Sequence, residues 1–166
     1  MDFGLSEDQV LFKESVKRFL AEQCPTTRVR QIMESANGYD EKLHHELAEL
    51  GVTGLIVPPS HDGLGLELLD LALVAEELGY AATPGAFLAS SLATLALIEG
   101  GDDTARDRWL RGLAAGEMVG TIAFGEDDSE WEPARMKASV IDGKLTGRKP
   151  LVPYPEVADV MIVIAK

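Results

Sequence analysis

The sequence predicts a mostly α-helical chain with a β portion at its C-terminal end, an α+β fold class. Three observations predict it. Apolar residues recur at helical spacing through the first two thirds, with cap residues before the runs and glycines after them. After Gly116 the pattern changes to short apolar or alternating runs. Asp142-Gly143 between two of those runs is a hairpin turn signal. Residues 1–116 are therefore expected to form an all-α domain and residues 117–166 the beginning of a β domain. That β domain is expected to be incomplete, because two or three strands cannot bury both faces or cover their edges.

Each element has a local reason. Ser6-Glu-Asp-Gln9 has the form of a capping box, and Phe12, Val16, Phe19 and Leu20 make one apolar face behind it. Cys24-Pro25 ends this helix. A weaker helical stretch covers about Thr27 to Ser35, and Asn37-Gly38 signals a turn. Asp40 caps a third helix with Leu43, Leu47 and Leu50 inward and Gly51 as the stop. Residues 51–66 hold four glycines and two prolines and read as a structured loop; Val52 to Val57 is too short to classify by period. Leu68 to Leu78 is apolar on nearly all sides apart from Asp70 and Glu76-Glu77. Pro84 suits a first helical position, and the uncharged run Phe87 to Ile98 predicts a central helix buried all round. Gly100-Gly101 ends it, and Asp102 or Asp103 caps a last helix through Ala115, with Ala105, Trp109 and Leu113 on one face. Met118 to Phe124, Met136 to Ile141, Lys144 to Lys149 and Val160 to Ala165 are the expected strands.

Composition excludes several function classes. The 166 residues carry 15 basic and 28 acidic side chains, a net charge of −13, which opposes a phosphate backbone and argues against a nucleic-acid partner. The 46% hydrophobic content is ample for a packed core. The longest apolar runs fall far short of the roughly 18 residues of a membrane helix, so no membrane partner is expected. No signal peptide is visible, and the single cysteine, Cys24, fits a reducing cytoplasm.

Few single residues carry chemistry. Glu76-Glu77 reads as solvated or capping carboxylates at a helix end rather than a paired acid and base. His44-His45 and His61 match no ligand spacing, so surface histidines and no metal are expected. Gly63-Leu-Gly65 lacks a following lysine and reads as a tight loop rather than a phosphate cradle. Cys24 reads as an unreactive, half-buried thiol.

The order of several short motifs resembles the acyl-CoA dehydrogenase family across the whole chain. Phe3-Gly-Leu-Ser-Glu-Asp-Gln9 is similar to the family's opening. Leu47-Ala-Glu-Leu-Gly51, Pro58 and Gly63-Leu-Gly65 are similar to its helix, proline and glycine-rich loop. Glu76-Glu-Leu-Gly79, Trp109-Leu110 with Gly112, and Gly143-Lys-Leu-Thr-Gly-Arg-Lys149 followed by Ala158-Asp159 resemble later landmarks in the same order. Thr83-Pro-Gly-Ala-Phe87 is similar to a bacterial branch that includes heteromeric enzymes acting on steroid-derived or other bulky acyl-CoA substrates.

The resemblance implies an N-terminal helical domain followed by the opening part of a β-barrel or sandwich domain. It implies FAD as cofactor, an acyl-CoA thioester as substrate, a trans-2-enoyl-CoA as product and electron-transferring flavoprotein as electron partner. The catalytic base is implied to lie in a C-terminal bundle, so no catalytic residue is assigned here, and this chain alone is expected to be inactive. Flavin contacts are implied at Phe124, Gly125, Ser129, Leu151 and Pro153, and an acyl pocket at Phe87, Leu88, Leu92 and Leu95, residues whose spacing equally fits plain core.

The departures are specific. Where the family has Thr-Glu-Pro and then Gly-Ser-Asp, this chain has Gly125-Glu-Asp-Asp-Ser-Glu-Trp131; only Glu126 matches the first motif, and Ser129 stands in for the later serine. Four acids in those seven residues oppose a pyrophosphate. Trp131 fits either a ring stacker or an anchor onto the helices. After Lys149, Leu151-Val-Pro153 replaces the aromatic stacker and the hydroxyl. Two readings follow: the N-terminal part of an active dehydrogenase, or a non-catalytic partner subunit that has lost flavin contacts. An unrelated helical interaction module is the remaining alternative. The uncovered sheet edge and helical face are expected to drive homo- or hetero-oligomers.

Overall fold

A computed structural model describes residues 4–126 and 135–166. Six α-helices precede the strands: α1 Glu7–Gln23, α2 Thr26–Met33, α3 Glu41–Glu49, α4 Leu68–Tyr80, α5 Phe87–Gly100 and α6 Asp103–Ala114. Four short strands follow, β1 Gly120–Ala123, β2 Ser139–Ile141, β3 Lys144–Thr146 and β4 Val160–Val163. No helix of the described residues is long and apolar enough to cross a membrane.

The caps form as their side chains require. Ser6 Oγ accepts from the Gln9 N–H at 3.2 Å while the Gln9 side chain accepts from the Ser6 N–H at 3.0 Å, a reciprocal box. Asp40 and Asp102 accept from the N–H groups of Leu43 and Ala105 at 3.0 and 2.8 Å. Helices α1 to α4 then close over one core that includes Val16, Leu20, Leu43, Leu47, Leu55 and Val74. The loop between α3 and α4 contributes to that core through Val52 and Leu55, so the short apolar run is neither helix nor strand but buried turns. A 3-10 turn at Pro59–His61 lies within it. Gly63 makes the loop possible: a Cβ there would lie 2.1 Å from the Val57 carbonyl oxygen.

The structure corrects three expectations among the helices. Pro84 is not a first helical position. Gly85 follows it at φ +148°, outside the helical region, and α5 begins at Phe87. Nor is α5 buried all round: Ala89, Ser90, Ala93, Thr94 and Leu97 are buried, whereas Leu88 and Leu92 are exposed. The buried face is small because β1 lies close against it. A Cβ on Gly120 would approach the Ala93 Cβ to 2.9 Å, and the Gly120 N–H donates to Ser90 Oγ at 3.0 Å. Helix α2 stops at Met33.

The β portion sits on α5 and α6, with Ile162 of β4 packed on the cluster of Val57, Leu97, Leu110 and Leu113. Strands β1 and β4 pair in parallel, Gly120 against Val160. β1 is shorter than the sequence predicts because Met118 still bonds the Gly112 carbonyl of the helix end, and the Val119 N–H is taken by the Asp159 carboxylate at 2.8 Å. Strands β2 and β3 form the expected hairpin, with Asp142 and Gly143 at φ +50° and +72° as a two-residue turn of this hand demands. Lys166 pairs its backbone with Ala138 and Val140, tying the hairpin to the segment after β4.

Candidate functional site

Two concavities lie on either side of the junction between helices and strands. The first is an apolar pocket of about 240 Å³ between α3, the end of α4 and the loop entering α5. Leu43, Leu47, Val52, Leu78, Ala86 and Phe87 make its walls. Of the four residues expected to line an acyl pocket, Phe87 and Leu88 do line this one; Leu92 and Leu95 do not, because the pocket meets only the first turn and a half of α5.

Polar groups cluster in the same lining. Burial, and then the charges of Glu41, Asp159 and Asp40, push the Tyr39 hydroxyl up to about 12, so it stays a neutral phenol. Burial works against charge on Asp40, but the Leu43 N–H and the Arg28 guanidinium, 2.9 Å away, hold its carboxyl below the ordinary range. His44 is only 8% exposed, which overturns the surface reading for this histidine. Its burial, then the neighbouring His45, lowers its pKa and favours the neutral imidazole. Its ring stands 5.7 Å from that of Tyr39. His44 Nε2 and Thr83 Oγ1 are buried with no hydrogen-bond partner among the described residues. At the rim, the Gly85 N–H donates to the Tyr154 hydroxyl at 3.1 Å, so the β portion reaches the pocket.

The second concavity, about 550 Å³, is lined by Ala123, Leu145, Lys149, Leu151, Val152 and Met161 among others. Beside it Glu126 is buried and fully engaged. It accepts from the N–H groups of Lys137 and Ala138 at 2.7 and 2.9 Å and from Lys149 Nζ at 3.0 Å. The amides of Ala138 and Lys137, followed by the Lys149 ammonium, hold its carboxyl down at about 2. Lys149 also donates to the Phe124 carbonyl at 3.0 Å. The acid stretch therefore contributes one charge fewer against an anion than its composition suggests.

The expected flavin contacts are unequal. Phe124 spends its carbonyl on Lys149, and among the described residues nothing meets the position a Cβ on Gly125 would take. Leu151 is 98% exposed at φ +56°, an apolar side chain presented outward. Pro153 has no N–H to donate, and its carbonyl accepts from the buried Thr121 hydroxyl at 2.6 Å. Ser129 and Trp131 lie outside the described residues. Tested against FAD, these groups offer an apolar face for a ring. They do not fit its phosphates, because Lys149, the cation lining this concavity, is buried and paired with Glu126.

The remaining candidates are structural. Glu76 is exposed and Glu77 is buried, contrary to the solvated reading for the latter, and Lys13 pairs with both. His61 is held between Ser60 Oγ at 3.0 Å and Asp107 Oδ1 at 2.9 Å, tying the 3-10 turn to α6. Cys24 is buried rather than half-buried. The described residues contain no group of three or more His, Cys, Asp or Glu able to hold a metal ion. Sequence reasoning missed His44, Thr83 and Tyr154. For His44 a signal existed: it lies three residues before the inward Leu47 and beside the inward Leu43 on α3.

Residues 6–117 match the family description "Acyl-CoA dehydrogenase, N-terminal domain". Among curated relatives, the chain is 37% identical over 124 residues to acyl-CoA dehydrogenase IpdE2 of Mycolicibacterium smegmatis, covering 74% of this chain and 39% of that protein. Among solved structures it is similar to the Tcur3481-Tcur3483 steroid ACAD G363A variant, with TM-score 0.88, 29% identity, and coverage of 96% of this chain and 45% of that one. It is also similar to a glutaryl-CoA dehydrogenase from Mycobacterium smegmatis in complex with FADH2, with TM-score 0.83, 26% identity, and coverage of 98% and 43%. The chain spans about two fifths of the length of IpdE2 and of the isovaleryl-CoA dehydrogenases among its curated relatives.

Proposed function

The chain belongs to the acyl-CoA dehydrogenase family, and from that premise we propose that it is the acyl-binding N-terminal part of an FAD-dependent dehydrogenase that oxidises an acyl-CoA to a trans-2-enoyl-CoA. In this reading residues 1–116 are the helical domain and 117–166 the start of the β domain. The observation that carries it is the apolar pocket of about 240 Å³ at the start of α5, with Phe87 and Leu88 in its lining. Such a pocket takes a hydrocarbon chain and excludes water from it. The hydride acceptor in this chemistry is FAD, and electron-transferring flavoprotein is the expected onward acceptor. This chain's own share is to bind and orient the acyl group. No residue of it is assigned the proton-abstracting base, and the chain alone is expected to turn over no substrate.

Calorimetric titration with octanoyl-CoA and with free CoA tests this. Acyl-dependent heat is expected; equal binding of the two would remove the acyl-pocket reading.

One observation favours a second reading, a non-catalytic partner within a heteromeric dehydrogenase. Leu151 and Pro153 present no aromatic ring and no side-chain hydrogen-bond donor to a flavin, and Lys149 is consumed by Glu126. Under that reading a flavin would be held by the sister chain. The visible spectrum of the chain after FAD is added and the excess removed separates the two: a retained flavin band argues for the first reading. If the second holds, L151W/P153T raises flavin retention above that of the unaltered chain.

A further inference from the structure

Two polar atoms beside α5 are unpaired. His44 Nε2 and Thr83 Oγ1 are the buried side-chain nitrogen and oxygen atoms that make no hydrogen bond among the described residues. Both residues line the same apolar pocket. Three other polar residues of the lining are engaged: the Thr53 hydroxyl donates to the Ala114 carbonyl at 2.7 Å, Asp40 holds Leu43 N–H and Arg28, and Ser90 accepts from Gly120. A buried polar group without a partner is costly, and in native proteins it calls for an explanation.

The chemistry of the two atoms selects the missing partner. A neutral imidazole offers a donor or an acceptor at Nε2 depending on its tautomer, and a threonine hydroxyl offers both. A ligand hydroxyl also does both, so it can pair with either tautomer of His44 and with Thr83 in either sense. A carbonyl can only accept, so it pairs with one tautomer of His44, whereas a hydroxyl pairs with both. A carboxylate would meet Asp40 in the same lining, and Arg28 is already shared between Asp40 and Glu46.

We infer that the acyl group taken by this pocket carries a hydroxyl, held by His44 and Thr83. The inference rests on the acyl-binding reading above and adds a polar group to the substrate.

The test uses the 166-residue chain and two probes of equal heavy-atom count, cyclohexanol and methylcyclohexane, titrated by NMR with the pocket residues as reporters. An apolar cavity of roughly 150 Å³ already accepts a benzene ring, so both probes fit. The expected result is that Thr83→Val, which keeps the side-chain shape, lowers the ratio of cyclohexanol to methylcyclohexane affinity about tenfold. Thr83→Ser retains the wild-type ratio, and His44→Phe lowers it as Thr83→Val does. If both probes bind and no variant changes the ratio, the hydroxyl inference is overturned while the acyl pocket stands. If neither probe shifts the pocket residues, both readings fall.

Discussion

In the helical part, Leu20, Leu43 and Leu55 are fully enclosed, whereas in the β2–β3 hairpin Val140, Ile141 and Leu145 are each more than half exposed. The two regions differ in how much apolar packing holds them. Helices α1 to α4 bury a continuous apolar core, the term that dominates domain stability. The β portion packs on α5 and α6 through β1 and β4, and polar ties at separate points add to that packing: Glu126 to Lys137, Ala138 and Lys149, Thr121 to Pro153, and Asp159 to Val119. The tie through Glu126 depends on its charge, and burial of Leu55 does not. The difference teaches where each region is vulnerable.

Leu55→Ala strikes the apolar side of the comparison hardest. It should lower unfolding free energy by about 3 kcal/mol, read from urea denaturation followed by helix signal. Glu126→Gln strikes the polar side. Amide exchange should quicken across 136–149 while α1 to α4 keep their protection; equal acceleration in both regions would mean that they unfold as one unit. Acidity should act similarly on the unaltered chain. The folded-state pKa of Glu126, about 2, lies below its ordinary 4.5. Its contribution is therefore complete above about 4.5 and is lost as pH falls from there toward 2. Protection across 136–149 should fade over that window in the unaltered chain, and Glu126→Gln should lack the step. Leu145→Ala is expected to be the mildest change, within about 0.5 kcal/mol of the unaltered chain, because an exposed hairpin side chain has little packing to lose. A larger loss would reveal that this face is covered in solution.

Much of the helical part was legible because its signals are local. Ser6, Asp40 and Asp102 each cap the helix that follows within three residues. Asp142-Gly143 fixed the hairpin for the same reason, since a turn's backbone angles are set by its own two residues. The site was less legible because its contacts are long-range. Glu126 and Lys149 meet across 23 positions, so composition alone made Glu126 an obstacle to anions rather than a neutralised anchor. Pro84 misled because its favourable φ says nothing about Gly85, which breaks the helical path. Leu92 and Leu95 share α5 with Phe87, but a pocket confined to one end of a helix cannot be read from periodicity.

The hydrogen bond from Gly85 to Tyr154 has a thermodynamic corollary. Gly85 lines the apolar pocket, and Tyr154 directly follows the Leu151–Pro153 segment. Occupancy of the pocket and order in that segment therefore share one contact, and linkage is reciprocal: whatever preference a pocket ligand has for the closed rim returns as an equal preference of segment 151–154 for its docked position. A ligand with no such preference would leave segment 151–154 unchanged, so Tyr154 is the contact through which any coupling of the two sites would pass.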